Sequence, residues 1–336
     1  MIEQQNKIPP RCESDSVAKT EVWRRAIRWA ALLVAIGCIS LVAGFETART
    51  TLATSKFDSG VPEQESSQSV STVRMAAPET SETNKGDVEF NRLPAQQQAE
   101  RSLERAMHGD SSSLELLSEK VDGWRGHIRN TDRLFDLVLA ALNSRDLRVR
   151  TAAVDVDLAA NNLSKSPESV SRLILQLHRD PAGRGMTLWR LGSLGNRGVE
   201  PERVLNNLLS YAHNPSEHTR YWAVEGLAML GNDASITPLL ELLTHDPSPR
   251  VRERAASSLA QAGLLTREER LAAVPHLLNF ADDDSLNSMT RELVYGALRV
   301  ITGAALGNDA NAWRAWWALH DPAQDRPRDR TRVLHA

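Results

Sequence analysis

Anchored on an arginine, the second half of the chain repeats a small residue at +3, a leucine at +7 and a glycine at +11. Arg252, Ala255, Leu259 and Gly263 form the clearest copy, inside the stretch from Asp246 to Gly263. Arg220, Ala223, Leu227 and Gly231 form another, and Arg184, Thr187, Leu191 and Gly195 a third with threonine in the small slot. Arg291, Val294 and Leu298 follow with the glycine displaced to Gly303; Arg150 and Ala153 begin a degenerate copy with Asp157 in the leucine slot. Successive anchors are separated by 34, 36, 32 and 39 residues. A period in this range predicts stacked helical hairpins, because one such unit cannot bury its apolar face alone. The expected fold class is all-α: a right-handed α-solenoid of about five hairpins.

The +3, +4 and +7 positions form one apolar stripe at helical spacing. The small residue at +3 permits close approach of a neighbouring helix, and the glycine is a helix stop with positive φ. The pattern predicts two leading helices, over Gln97–Met107 and Leu114–Val121, then alternating pairs. Their first helices are expected at Leu134–Leu142, Val170–His178, Pro201–His213, Ala234–His245 and Arg270–Ala281. The repeat domain spans 96–320, and 321–336 reads as a disordered tail.

Ahead of the repeats lie three other segments. Trp29–Phe45 holds seventeen residues without a charge, and Ala26 and Ile27 extend it beyond Arg28. That length is near the lower limit for a helix crossing a roughly 30 Å hydrocarbon core. Arg24, Arg25 and Arg28 crowd its N-terminal side against Arg49 alone beyond it, which predicts a cytoplasmic N-terminus. The expectation is a cytoplasmic tail over 1–25, a retained single-pass transmembrane helix over 26–45, and everything after it periplasmic or extracellular at the inner (plasma) membrane. A cleaved signal peptide is the rival reading, since Val42-Ala-Gly44 offers small residues for cleavage. Residues 46–95 are rich in Ser, Thr, Glu and Gln and read as a disordered linker, too polar to offset its ordering entropy.

The arginine–alanine–leucine–glycine register, preceded by an Asp-Pro turn, resembles bacterial HEAT-repeat proteins, those of the phycobilin-lyase type included. Asp246-Pro-Ser-Pro-Arg-Val-Arg252 is the nearest match, and the resemblance covers roughly residues 130–318. The segment from Ile301 to Trp317 is similar to the closing segment of membrane-linked and secreted members. The resemblance implies a curved superhelix whose concave face binds other proteins, with no general activity.

Candidate chemistry is sparse. With a formal net charge of −3 the chain carries no electrostatic case for nucleic acid. Cys12 and Cys38 are the only cysteines, so no thiolate site is available after residue 38. Histidines precede four Asp/Asn-Pro turns, at His178, His213, His245 and His320. Repeats about 10 Å apart cannot bring such a row onto one zinc ion, which needs nitrogens at about 2.0–2.1 Å. They read as helix-end residues, with Asp or Asn as N-cap and proline at the first helical position. The anchor arginines likewise read as caps or bridges to carboxylates such as Glu225 or Asp246, in preference to an anion-binding ladder. None of the nine histidines is followed by glutamate, unlike the iron-binding hydroxylases built on related repeats. No P-loop, Gly-x-Ser-x-Gly or His-Glu-x-x-His pattern is present. No catalysis, cofactor or metal is therefore expected.

Aromatic residues remain. In the second helices +1, +2 and +5 are expected to face away from the buried stripe, which puts Met186, Trp189, Tyr221, Trp222 and Glu225 on one open face as the candidate partner-binding surface. The competing expectation is that these side chains tuck beneath the neighbouring repeat. Trp313, Trp316 and Trp317 fall on one helical face suited to capping the stack. The function expected is a membrane-anchored scaffold for protein–protein interaction; the alternatives are a chromophore or cofactor handler resembling the phycobilin lyases, and a structural envelope spacer.

Overall fold

A computed structural model describes residues 90–322. The expected tail, transmembrane helix, nearly all of the linker, and residues 323–336 lie outside the described residues. Among the described residues no helix is long and apolar enough to cross a membrane.

The described chain is helical and contains no strand. The helices are α1 (Ala95–Met107), α2 (Ser111–Trp124), α3 (Asp132–Leu142), α4 (Leu147–Ala160), α5 (Pro167–Arg179), α6 (Arg184–Asn196) and α7 (Pro201–Ala212), followed by α8 (Glu217–Leu230), α9 (Asp233–His245), α10 (Pro249–Ala260), α11 (Arg267–Ala272), α12 (Val274–Ala281), α13 (Ser288–Thr302) and α14 (Ala310–His320). They pair as α1/α2, α3/α4, α5/α6, α7/α8 and α9/α10; α11 and α12 together pair with α13, and α14 closes the order. The expected single helix over Arg270–Ala281 is interrupted at Ala273, two residues before Pro275. Proline lacks the N–H that would continue the helical ladder, so the break falls at the preceding turn.

Local chemistry sets the starts. Asp110, Thr131, Asp146, Ser216, Asn287 and Asp309 each accept a backbone N–H from the first turn of the helix that follows. Thr266 and Glu269 form a reciprocal capping box at α11. The Asp/Asn-Pro turns differ from expectation. The N-caps of α8 and α10 are Ser216 and Ser248, two residues beyond Asn214 and Asp246. Asn214 accepts from Ser216 N at 3.0 Å and Asp246 from Ser248 N at 2.8 Å, so each side chain closes a turn ahead of its helix.

The glycine stops are split. Gly231 and Gly303 cap their helices with φ of 50° and 75°, as a left-handed helix end requires, whereas α10 is capped by Gln261 and Gly263, at 75°, lies two residues further on, where a Cβ would meet the Ala228 carbonyl. Gly195 does not stop its helix: α6 runs on to Asn196, and Gly198 takes the positive φ instead. Gly195 is needed for room, since a Cβ there would meet the side chains of Leu230 and Val204.

Two cores result. A smaller one joins α1–α4 through Leu103, Leu117, Val121, Trp124, Val138 and Val156. The larger one runs from α3 to α14. The α3/α4 pair serves both, giving Phe135, Leu139, Val154 and Leu158 to the larger core and Leu134, Val138, Val149 and Val156 to the smaller.

Between α4 and α6 the join is partly ionic. Arg190 donates from Nε (2.9 Å) and Nη2 (3.2 Å) to the two oxygens of Asp157, which is buried. Arg197 donates to Asp155 Oδ1 and to the Thr151 carbonyl, both at 2.8 Å. The missing leucine of the degenerate first copy is thus a buried ion pair that fastens its repeat to the next.

Candidate interaction surface

The second helices α6, α8 and α10 run side by side, and α8 is the most enclosed. All twelve of its residues from Thr219 to Leu230 are buried. A helix with no exposed stripe belongs to an interior, and glycines on α6 and α8 explain how it gets there. A Cβ at Gly192 would lie 2.0 Å from the Gly226 carbonyl oxygen, and one at Gly226 would lie 2.8 Å from that of Leu188. The two backbones touch, leaving no room for a groove between them.

This packing corrects the expectation of an open aromatic face. Trp189 is 1% exposed and Trp222 2%, while Tyr221 and Glu225 are buried as fully; Met186 is half-buried against the larger core. The expectation treated each second helix as buried on one side only. In the stack its flanks are covered by the second helices before and after it, so +2 and +5 point into inter-repeat contacts. Trp222 (+2) lies over Gly185, where a Cβ would come within 2.6 Å of the indole. Glu225 (+5) meets Arg254 (+2 of the next repeat): Nη2 donates to Oε2 at 2.7 Å, and Nε lies 2.6 Å from Oε1 at an angle that makes an ionic contact but no second hydrogen bond.

Above this pair the ring of Tyr221 makes edge contact with Trp222 at 6.2 Å and carries the Arg250 guanidinium at 4.7 Å. Burial, then the Glu225 carboxylate, pushes the Tyr221 hydroxyl far above its ordinary range. Burial alone would lower Arg254, and Glu225 reverses this so that the guanidinium stays charged. His218 makes edge contact with Trp222 at 6.3 Å; burial and the Arg250 charge hold it below its ordinary value. The five expected site residues therefore gather in one part of the stack, four of them as interior.

The anchor arginines do cap and bridge. Nη1 of Arg150, Arg220 and Arg252 donates to carbonyls six and five residues earlier: Ser144 and Arg145, Asn214 and Pro215, Asp246 and Pro247. Arg220 also grips the Asp246 carboxylate of the next turn, at 2.8 Å from Nε and 3.1 Å from Nη2. Sequence reasoning missed Arg270, which is buried and donates to the carbonyls of Ser258, Leu259, Ala262 and Leu265. It seals the end of α10, and burial together with the charge of Arg150 pulls it down to about 10. Of the histidine row, His320 bonds the Trp316 carbonyl at 2.8 Å as a helix-end residue does, whereas His245 meets Thr244 Oγ1 at 2.6 Å. Among the described residues no group of three or more His, Cys, Asp or Glu side chains is placed to hold a metal ion.

Open apolar surface lies further along. Met289 and Val300 on α13 are 60% and 42% exposed, and Leu319 on α14 is 82% exposed. Of the three tryptophans on α14, Trp313 is buried and donates from Nε1 to the Gly307 carbonyl at 2.8 Å. Trp317 packs against the larger core, and Trp316 stacks on His320 with ring centres 4.1 Å apart.

Compared with known families, residues 170–260 match the model for HEAT repeats. That span runs from α5 to the end of α10 and contains the enclosed helix α8. No curated protein matches the chain.

Proposed function

We propose that this chain is a non-catalytic scaffold for protein–protein interaction, a right-handed α-solenoid tethered by a transmembrane helix over residues 26–45 and displayed on the exported side of a bacterial inner membrane. The observation that carries the scaffold reading is the HEAT-repeat match over 170–260 within an all-helical stack of hairpins. Such repeats present long surfaces and no conserved chemistry. The tether reading rests on the uncharged run Trp29–Phe45 and the arginines before it.

The partner surface moves from the Trp189–Trp222 region to the part of the second-helix face that stays open. Met289, Glu292 and Val300 on α13 are exposed, and large exposed side chains are where a partner gains most from desolvation. A photo-crosslinking residue placed at Met289 or Val300 of the full chain, in cells, tests this. Discrete protein adducts at these positions and none at Arg101 on α1 support it; the same adducts from all three sites, or none at all, refute the surface. A reporter fused after Ala336 that is active only in the cytoplasm overturns the topology.

A further inference from the structure

The last helix of the stack is packed on one face and uncharged on the other. Trp313 and Trp317 of α14 turn into the larger core, and Arg314 reaches Asp282 and the Leu278 carbonyl. Left outside are Asn311, Ala312, Ala315, Ala318 and Leu319, with Trp316 half-buried. Ala312, Ala315, Trp316 and Leu319 follow at three- and four-residue spacing, so they form one stripe along the helix. Leu319 is 82% exposed, and Trp316 lies flat against the His320 ring. Arg314 is the only Asp, Glu, Lys or Arg in α14, and it is engaged inward. The opposite end of the stack is built differently. Gln97, Arg101 and Arg105 of α1 are exposed, the polar outer face that a terminal repeat needs in water.

The sequence after α14 points to what covers its apolar side. Residues 323–336 lie outside the described residues. They carry Arg326, Arg328, Arg330 and Arg332 against Asp325 and Asp329, so four arginines less two aspartates leave +2 on their side chains, in a chain of formal net charge −3. An apolar stripe continued by arginines has the chemistry to bind an anionic bilayer. The apolar side chains enter the boundary between headgroups and acyl chains, and the arginines meet lipid phosphate. Tryptophan suits that boundary because its ring is apolar and its N–H polar.

Two other occupants fit less well. A second copy would bring two arginine runs together. The face is also small, on a helix about 16 Å long, whereas a stable protein interface buries about 800 Å² on each partner. Residues 323–336 laid back along α14 offer only Val333 and Leu334 as large aliphatic side chains, and would set arginines beside Arg314 and His320.

We propose that the open face of α14, with the arginines from Arg326 to Arg332, docks the C-terminal end of the stack on an anionic phospholipid surface, Trp316 and Leu319 being the inserting side chains. The contact does not need the transmembrane tether, although that tether would hold a bilayer within reach.

The test uses the full chain with Cys12→Ser and Cys38→Ser, carrying an environment-sensitive fluorophore on Ala315→Cys, in vesicles whose acyl chains bear a nitroxide quencher. Neutral phosphatidylcholine vesicles are compared with vesicles containing anionic phosphatidylglycerol. The ratio of docked to free label is expected to rise roughly 30-fold in the anionic vesicles, about fivefold for each of two net positive charges, and to fall back in high salt. Leu319→Ser, and replacement of the four arginines by glutamine, are each expected to remove most of that rise. Leu319→Ser is expected to leave the thermal melt unchanged, because the side chain is exposed. Equal quenching in both vesicle types, or equal quenching of a label on Arg101→Cys of α1, reflects tethering alone and overturns the docking. A label shielded from water but not quenched by lipid means that protein covers α14, and overturns it too, as does a label neither shielded nor quenched. Alkaline carbonate extraction of the same vesicles reads the tether separately: a chain that is quenched and yet extracted refutes the tether and keeps the lipid contact.

Discussion

The backbone of Gly192 rests directly on that of Gly226, so closely that a Cβ on Gly192 would sit 2.0 Å from the Gly226 carbonyl oxygen. That contact joins two consecutive repeats where side chains would otherwise interdigitate, and it turns α8 into an interior helix. Everything placed on α8 is consequently read first as packing.

Gly192→Ala is expected to cost about 3 kcal/mol or more, because the obstructing atom is backbone and cannot rotate away. Gly123→Ala on α2, where nothing lies within 4 Å of the added Cβ, is expected to be neutral or to gain up to about 1 kcal/mol from helix propensity. Urea denaturation midpoints of the two variants check the contrast; equal effects would contradict the backbone contact.

Glu225 and Arg254 form a buried pair, and removing one partner strands the other's charge. Glu225→Leu alone is expected to destabilise by about 3–5 kcal/mol, and Glu225→Leu with Arg254→Met to recover most of that loss. A double-mutant cycle on chemical unfolding measures the coupling. Additive single effects would mean that the two side chains do not depend on each other.

Trp189→Ala and Trp222→Ala are each expected to lose about 3–5 kcal/mol through cavity formation. Any loss of partner capture by these variants should therefore track their thermal unfolding. Capture lost with an unchanged melting temperature would restore these tryptophans as direct contacts.

His218 gives a pH dependence of known sign. Its folded value is held below the ordinary 6.5 by burial and by Arg250. The unfolded chain therefore binds the proton at higher pH, and stability falls as pH drops below about 6.5 towards the folded value. The residue is exposed enough that solvent screens much of the effect. His218→Gln is expected to flatten that part of the stability-versus-pH curve, and Arg250→Ala to shift it upward; thermal melts from pH 7.5 to 5.0 read both.

The 32-residue spacing of Arg220 and Arg252, the small residue at +3 and the stop at Gly231 made the helical pairs legible in advance, with most first-helix bounds within two or three residues. These features act within one hairpin, and local chemistry expresses them directly. The roles of Gly185, Gly192 and Gly226 were the missed signal. Glycine inside a helix costs stability, roughly 1 kcal/mol against alanine, and three on neighbouring repeats mark a close approach. Asp157 was a second such sign: a carboxylate in a leucine slot needed a buried cation, and Arg190 supplies it.

The sequence by itself determined that this chain builds helices, pairs them at a repeating interval and caps them with arginine, serine and glycine. Period, caps and turn residues depend on neighbours only a few positions away. Only the tertiary structure decided which helix flanks meet water. Trp189, Tyr221, Trp222 and Glu225 occupy positions that a single helix would leave open, and the approach of α6 to α8 and α10 buries them. The same tertiary register decided that Arg220 finds a carboxylate on the next turn while the Nε of Arg150 is enclosed without one. Burial and charge pairing depend on groups some thirty residues apart along the chain, and only the stacked repeats bring those groups together.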